Sequence, residues 1–352
     1  MTAFSDSVLK EDLEATAESL DPSLISGRTF MITGATGLIG SQIAKTILTC
    51  NRLKGTDGKV VAVVRNPEKA KKVYSGFLDG NIEIIKSDIL EYPEYRGNVD
   101  YIIHTASPTG SRYFVEKPVE TIEAAVLGTN RILEFAKDKD IDGMVYLSSL
   151  EVYGVPNGKN ETIKESDYGY IDPLSVRSSY SEGKRMVECL CASYASEYSV
   201  PVKVLRLSQT FGAGVEYDDG RVFAEFARCL MEGRDIVLHT DGSTVRTYLY
   251  TADAVTAILT VLFKGEKGEA YNATNPETAC SIKEMAELIA GLDPERNIRV
   301  KIEIPDDLGK YGYNPQMVIR LDAGKLESLG WEPETGLKKM FERTIRSMTE
   351  RR

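Results

Sequence analysis

Short apolar runs alternate with amphipathic stretches from residue 29 onward. The runs are rich in Val and Ile, and segments with helical spacing separate them. They are TFMIT (29–33), KVVAVV (59–64), IEIIKS (82–87), DYIIHT (100–105) and DGMVYLSS (142–149). Apolar runs of this length, separated by helices, are typical of parallel strands buried on both faces. The pattern predicts an α/β fold with a Rossmann-like, doubly wound parallel sheet.

A helical extension precedes this pattern. In residues 1–28, the positions Val8, Leu9, Leu13 and Leu20 recur near helical spacing, which predicts a short amphipathic helix. Such a helix has two places to bury its apolar face. It packs either on the body of the protein or on a second subunit.

Two further regions follow the extension. Residues 29–200 are expected to form the dinucleotide-binding Rossmann domain. Residues 201–352 are expected to form mainly a smaller C-terminal domain that binds the substrate. The two are interwoven, because no low-complexity linker separates them and VKVLRL (202–207) is one more strand of the same apolar type.

Composition excludes several classes of function. The 352 residues are 42% hydrophobic and carry a net charge of -10, which argues against a nucleic-acid or anionic-membrane partner. Two histidines, and cysteines without a CxxC pair, predict neither a metal site nor a disulfide framework. No secretory signal and no apolar stretch of about 18 residues occur, so we expect a cytoplasmic protein.

The clearest chemical motif is the turn after the first strand. Gly34, Gly37 and Gly40 lie between TFMIT and an amphipathic stretch. Glycines there let the backbone turn tightly and approach a pyrophosphate, which binds at the positive end of the helix. The turn therefore predicts a dinucleotide cofactor, bound also by the neighbouring Thr36, Leu38 and Ile39.

Other strand ends complete the predicted cofactor site. The second strand ends at Arg65, where NAD-specific folds present an Asp or Glu to the ribose diol. Arg65 either pairs with a 2′-phosphate, which favours NADP over NAD, or lies on the adenine and points to solvent. Further contacts are expected after the third and fourth strands, from Asp88, Ile89, Thr105, Ala106 and Ser107.

Two YxxxK motifs compete for the catalytic role. Tyr113 and Lys117 are followed by Pro118, which interrupts a helix, whereas Tyr180 and Lys184 open a stretch that continues as one. Residues four apart share a helix face, so Lys184 is expected beside the Tyr180 hydroxyl. Tyr113 and Lys117 are interpreted as coincidence.

The lysine gives the tyrosine a chemical role. A phenol with a pKa of about 10 is a poor base at neutral pH. A cation at about 5 Å supplies roughly 3 kcal/mol toward the phenolate at an effective dielectric near 20. We therefore expect Lys184 to lower the pKa of Tyr180, which exchanges the proton of a carbinol while hydride passes to or from a nicotinamide. Ser149, at the end of the fifth strand, is expected to hold the same oxygen.

The ordered motifs resemble the extended short-chain dehydrogenase/reductase family of nucleotide-sugar epimerases, dehydratases and decarboxylases. They are TGATGLIG (33–40), SSLEVYG (148–154), YSEGK (180–184) and the run from Asp241 to Asp253. Within that family, TASP (105–108), VRSSYSEGKR (176–185), TFG (210–212) with DGRV (219–222), and LGWEP (329–333) are similar to UDP-glucuronate decarboxylases.

The resemblance implies roles for further residues. It makes Ser149, Tyr180 and Lys184 catalytic and places the acid Glu151 in the active site. Arg177 precedes the tyrosine as it does in the decarboxylases. The resemblance also implies that Arg221 and Arg246 contact a nucleotide diphosphate, that Gln209 stands at a substrate-binding position, and that the protein is a homodimer built on the helices near 119–137 and 180–198.

Departures from the family pattern limit the reaction. Leu150 stands where 4,6-dehydratases carry a proton-donating Asp, so dehydration is not expected. Gln209 replaces an Asn, Ala213 replaces a Pro, and YNPQ (313–316) lacks an arginine often found before its proline. These changes indicate an altered substrate pocket.

Three functions remain open at this point. The first is transient oxidation at C4 of a nucleotide sugar with bound NAD or NADP, as in UDP-glucuronate decarboxylation or 4-epimerisation. The second is NADPH-dependent reduction of a keto group on a nucleotide-linked sugar or ketose, for example a CDP- or UDP-linked one. The third is a cofactor sensor without turnover, against which Ser149, Tyr180 and Lys184 argue.

Overall fold

The computed structural model describes residues 6–156, 162–304 and 317–352. Its strands are β1 Thr29–Thr33, β2 Lys59–Val64, β3 Ile82–Lys86, β4 Tyr101–His104, β5 Gly143–Ser149, β6 Val202–Leu207, β7 Gln209–Phe211, β8 Ile236–Leu238, β9 Val245–Tyr250, β10 Ala270–Ala273, β11 Asn275–Ser281, β12 Val300–Ile302 and β13 Val318–Ile319. Its helices are α1 Ser7–Ser19, α2 Leu38–Lys54, α3 Pro67–Val73, α4 Ser111–Glu116, α5 Pro118–Lys139, α6 Ser179–Glu197, α7 Val222–Glu232, α8 Thr251–Lys264, α9 Ile282–Ala290, α10 Gly324–Glu327 and α11 Leu337–Glu350. The YNPQ segment lies outside the described residues.

The main sheet has seven strands in the order β10-β6-β5-β4-β1-β2-β3. Every neighbouring pair in it is parallel, as the apolar runs predicted. The order reverses between β1 and β4, which opens a crevice at their carboxyl ends where doubly wound folds bind ligands. The predicted Rossmann-like α/β architecture is confirmed.

Helices cover both faces of this sheet. On one face α2 and α8 contribute Ile43, Ile47 and Ile258 to a buried cluster. On the other, α5 and α6 contribute Leu133 and Val187 to a second cluster. Each such side chain contributes about 1.5–3 kcal/mol by leaving water. The two layers therefore hold the carboxyl edge of the sheet rigid.

The chain beyond residue 200 completes the main sheet and also forms a smaller region. β6, β10 and α8 belong to the main sheet and its covering, whereas β7, β9, β11 and β13 form a second sheet and β8 pairs with β12. Phe211, Phe223 and Phe341 pack as a separate core, with ring centroids 4.5 and 4.7 Å from Phe211. The predicted domain boundary near residue 200 remains a prediction.

The helix α1 packs on the body of this chain, one of the two positions that the sequence left open. Val8, Leu9 and Leu13 join the same buried cluster as α2. On its polar side Asp12 accepts hydrogen bonds from the Tyr250 hydroxyl at 2.7 Å and from Arg343 Nη2 of α11 at 2.6 Å. These contacts join α1 of the N-terminal extension to α11.

None of the described helices is both long and apolar enough to cross a membrane.

We expect Asp12→Ala to lower the free energy of unfolding by about 2–4 kcal/mol, because it leaves the buried Tyr250 hydroxyl without its acceptor and removes the buried carboxylate that pairs with Arg343. The neighbouring Glu11 pairs with the same arginine at 3.1 Å but is half exposed, so Glu11→Ala serves as the control and should cost less than about 1 kcal/mol. Urea unfolding of both variants checks this. Equal losses would contradict the importance of the buried contact.

Candidate active site

A cavity of about 1190 Å³ opens at the carboxyl edge of the main sheet. Its walls include the ends of β1, β2, β4, β5 and β6, so it lies in the crevice that the strand order creates. Pockets for single small ligands are commonly about 300–1,000 Å³. The cavity therefore has room for a dinucleotide together with a second ligand.

The glycine turn is packed too tightly for any larger residue. Gly34 has φ +64°, and a Cβ there would lie 2.8 Å from the Cα of Ala106. A Cβ on Gly40 would lie 2.6 Å from the Gly34 carbonyl oxygen and 2.7 Å from Thr105 Oγ1. Gly37 is the N-cap of α2 and supplies no side chain to its first N–H groups, which leaves them for an anionic ligand. The turn fits a dinucleotide pyrophosphate.

Most of the residues predicted to bind the cofactor line this cavity. They are Gly34, Thr36, Gly37, Leu38, Ile39, Gly40, Arg65, Ile89, Thr105, Ala106, Ser107, Tyr180 and Lys184. Asp88 is not among the lining residues, because its carboxylate turns back and accepts a hydrogen bond from the Leu90 backbone N–H at 3.0 Å. The predicted contact between Asp88 and adenine stays a prediction.

The predicted catalytic residues meet at one end of the cavity. Tyr180 and Lys184 lie one turn apart on α6, and the Lys184 Nζ is 5.6 Å from the centroid of the Tyr180 ring. Ser149 ends β5 and forms a hydrogen bond with the Tyr180 side chain. Phe114 stacks on the Tyr180 ring with centroids 4.2 Å apart, which fixes the plane of the phenol.

The electrostatics of Tyr180 differ from the sequence expectation. Burial raises the pKa of Tyr180 above its ordinary value and Glu151 adds to this, while the Ser149 hydrogen bond and Arg177 oppose it. Desolvation of the phenol is the largest effect on this pKa, and Lys184 is not among the groups that oppose it; the Lys184 Nζ donates a hydrogen bond to the Leu147 carbonyl at 2.7 Å. Burial also lowers the pKa of Lys184, to about 8.

Charged side chains surround the Tyr180 end. Glu151 accepts hydrogen bonds from Arg177 Nη2 at 3.0 Å and from the Ser181 hydroxyl at 3.2 Å. Arg246 is 7% exposed, and its Nη1 donates a hydrogen bond to the neighbouring Val245 carbonyl. Among the described residues it has no ion pair with a carboxylate. Glu151 acts on Arg246 only from beyond ion-pair distance, and a buried cation without a directly paired carboxylate favours an anionic ligand nearby.

The remaining predicted substrate residues are spread around the same region. Arg221 lines the cavity and is held by Asp219 through an ion pair of 2.6 Å, and Gln209 lines it from β7. Arg177 and Arg246 lie outside the lining, behind Glu151. Of the four predicted residues, Gln209 and Arg221 therefore line the cavity, and Arg177 and Arg246 do not.

The sequence of residues 30–274 matches the NAD dependent epimerase/dehydratase family. The chain belongs to this family. It is therefore an enzyme of the extended short-chain dehydrogenase/reductase type, as its motifs predicted. Members of this family act on nucleotide sugars with NAD.

Sequence relatives of this family member include UDP-glucuronic acid decarboxylases. It is 31% identical over 319 residues to UDP-glucuronic acid decarboxylase 1 of Danio rerio, covering 90% of this chain and 71% of the relative. It is 29% identical to UDP-glucuronic acid decarboxylase 2 of Arabidopsis thaliana, covering 92% and 69%. The resemblance that the motifs indicated is confirmed.

Solved structures with the same fold include two family members that act on nucleotide sugars. One is a UDP-N-acetylglucosamine 4-epimerase from Methanobrevibacter ruminantium, with a TM-score of 0.78 and 19% identity, covering 93% of this chain and all of the other. The other is a dTDP-glucose 4,6-dehydratase from Streptomyces venezuelae with NAD bound, with a TM-score of 0.75 and 24% identity, covering 92% and 97%. At these identities the likeness shows the fold.

The competing YxxxK motif of this epimerase/dehydratase-family enzyme is broken, as its proline predicted. α4 ends at Glu116 and α5 begins at Pro118, and Lys117 between them pairs with Glu120 at 3.3 Å. Tyr113 nevertheless lines the cavity, which the sequence did not indicate. Lys117 is not among the residues that line the cavity.

The sequence motifs did not indicate a buried ion pair that lies next to the predicted catalytic residues. Arg206 of β6 and Glu188 of α6 are joined by three hydrogen bonds of 2.6 to 3.2 Å. Glu188 also accepts from the Ser148 hydroxyl at 2.5 Å, next to Ser149. The arginine inside the apolar strand VKVLRL could have indicated this pair, because a buried cation requires an acidic partner.

We expect Glu188→Gln to lower the free energy of unfolding by about 3–5 kcal/mol, because it leaves the 2% exposed Arg206 side chain without its countercharge. Glu182 on the same helix faces solvent and pairs only loosely with Arg185 at 3.8 Å, so Glu182→Gln is the matched control. Urea unfolding measures both variants. Similar losses in the two would refute the structural role of Glu188.

Within the described ranges, no group of three His, Cys, Asp or Glu side chains is arranged to hold a metal ion.

Proposed function

We propose that this enzyme oxidises C4 of a nucleotide sugar through a nicotinamide cofactor held in the cavity, in a reaction like UDP-glucuronate decarboxylation or 4-epimerisation. The observation that carries the proposal is the meeting of Ser149, Tyr180 and Lys184 in one cavity that Arg221 also lines, with Arg177 paired to the lining residue Glu151. The first three residues suit proton transfer at a carbinol. The arginines suit the anionic part of such a substrate.

The protein residues in this proposal manage the proton. Tyr180 takes the proton of the substrate C4 hydroxyl, and Ser149 donates a hydrogen bond to the same oxygen and holds it in line. A nicotinamide ring, when bound, accepts the hydride that leaves C4. Because burial raises the pKa of Tyr180, its phenolate needs positive charge nearby, which Arg177 and Arg221 supply by lowering that pKa, while Lys184 Nζ lies 5.6 Å from the centroid of the ring.

The arginine side of the cavity binds the nucleotide diphosphate in this proposal. Arg221 faces the cavity, while the buried Arg246 and Arg177 add positive potential behind Glu151. A net positive charge in a desolvated wall attracts phosphate strongly. Glu151, which accepts hydrogen bonds from Arg177 and Ser181, acts in this proposal as an acid or base on the sugar.

Dehydration is not part of the proposal. Leu150 lines the cavity next to Ser149, where a dehydratase needs a proton donor, and it is buried in a cluster with Val152 and Tyr153. Its side chain carries no transferable proton. Elimination of a hydroxyl therefore lacks its acid in this site.

A second candidate is net reduction of a keto group on a nucleotide-linked sugar or ketose with NADPH. The observation that favours it is Arg65, which lines the cavity at the end of β2 in place of an acid. In that reaction Tyr180 donates its proton to the new alkoxide, and Ser149 holds the same oxygen. The two candidates share the catalytic residues and differ in whether the cofactor is regenerated.

Homodimer formation and a cytoplasmic location are further parts of the proposal. α5 and α6 pack on each other and leave the apolar side chains Val119, Ile122, Leu127 and Met186 exposed. Exposed apolar side chains on two adjacent long helices suit contact with a second copy. Light scattering of the purified enzyme measures this directly.

We expect Tyr180→Phe to reduce turnover at least about 1,000-fold with little change in cofactor affinity, because only the proton-carrying hydroxyl is removed. Tyr194→Phe is the control, since Tyr194 lies on the same helix and its hydroxyl bonds Asn130 away from the cavity. Mass spectrometry of reactions with UDP-, CDP- and dTDP-sugars gives the readout. Retained activity in Tyr180→Phe would overturn the catalytic assignment.

The fate of the cofactor separates the two candidates. For transient oxidation we expect a substoichiometric cofactor to support many turnovers, with no net change in absorbance at the wavelength of the reduced nicotinamide. For net reduction, one reduced cofactor disappears for each product formed. Absorbance and product mass, measured in the same reaction, decide between them.

A further inference from the structure

The end of the cavity near α3 is lined by cations. Arg65 follows β2 directly, and Lys69 and Lys72 of α3 line the same part of the wall. Asn66 caps α3 by accepting a hydrogen bond from the Lys69 backbone N–H at 3.0 Å. This cap fixes the turn between β2 and α3, so Arg65 and Lys69 are presented together.

These three cations are not paired directly with a carboxylate, although Glu68 acts on Lys72 from a longer distance. Within the part of the chain that the structure describes, none of them forms an ion pair within 4 Å or a side-chain hydrogen bond. By contrast Lys71, between them in sequence, pairs with Glu68 at 2.8 Å and does not line the cavity. The described lining residues between 63 and 89 include no Asp or Glu. This part of the wall therefore carries only positive charge.

The position of the cations identifies what they meet. In a doubly wound fold the adenosine ribose lies at the end of the second strand, where a carboxylate accepts hydrogen bonds from the ribose hydroxyls. Arg65 cannot accept such bonds, since a guanidinium has only donors. A phosphate on the ribose 2′-oxygen matches it, because arginine and lysine bind phosphate oxygens through charge-assisted hydrogen bonds.

We propose that Arg65, Lys69 and Lys72 form a subsite for the 2′-phosphate of NADP(H), which sets this enzyme apart from the NAD use that its family name describes. The inference rests on the proposed function only in that the cavity holds a nicotinamide dinucleotide. It does not depend on the sugar or on the direction of hydride transfer.

The test is a direct binding measurement on the full chain. We expect NADPH to bind at least about 100-fold more tightly than NADH, and 2′,5′-ADP to compete better than 5′-ADP. The preference should weaken as salt is raised, because the subsite is open to solvent. Quenching of reduced-nicotinamide fluorescence gives the dissociation constants without turnover.

Variants assign the preference to these residues. We expect Arg65→Ala to reduce the ratio of NADPH to NADH affinity about 10- to 100-fold, and the combined Arg65→Ala, Lys69→Ala, Lys72→Ala variant to bring it close to one. NADH affinity should stay within about threefold, which also shows that the variants are folded. Lys71→Ala is the matched control and should keep the full ratio.

Two results would overturn the inference. One is equal affinity of the unaltered enzyme for NADH and NADPH, and the other is a preference for NADPH that survives in the triple variant. Failure of the proposed function looks different. In that case the 2′-phosphate preference is present, yet no nucleotide sugar is converted and Tyr180→Phe changes nothing.

Discussion

The ion pair between Glu188 and Arg206 is the constraint on which the geometry of the active site depends. Two buried charges are costly to remove from water, and here the cost is offset by three mutual hydrogen bonds and by the Ser148 hydroxyl. The pair ties α6 to β6 and to the end of β5 at once. Tyr180 lies two turns before Glu188 on the same helix, and Ser149 directly follows Ser148, so their relative positions are set together.

The same edge of the sheet serves two chemically different tasks. At the glycine turn the backbone comes so close to Ala106 and Thr105 that side chains are excluded, and unpaired N–H groups are left for phosphate. At the Tyr180 end the wall is built from side chains, with a stacked phenol and with Arg177 held by Glu151. In the proposed function, backbone groups therefore bind the part that the ligands share, and side chains select the part that varies.

The parts of the fold that follow from local pattern were predictable from the sequence. The apolar runs gave the parallel sheet, because strands buried on both faces need uninterrupted Val and Ile, and Pro118 correctly separated the broken YxxxK motif from the helical one. Properties created by packing were not predictable. The raised pKa of Tyr180 comes from burial under Phe114 and its surroundings, and the Asp88 carboxylate turns to a backbone N–H that no motif marks. The lining position of Tyr113 likewise arises from the path of α4.

The contact between α1 and α11 affects the order in which parts of the protein fold during synthesis. Asp12 and Arg343 are separated by 331 residues. At a synthesis rate of about 5–20 residues per second, α1 is therefore made roughly 20–60 s before its partner α11. The same last helix leads to Arg351, which bonds the Val215 carbonyl in the loop that carries Arg221. The ribosome therefore finishes the sheet and the glycine turn first, and the wall that meets the substrate is fastened only when the two ends of the chain come together.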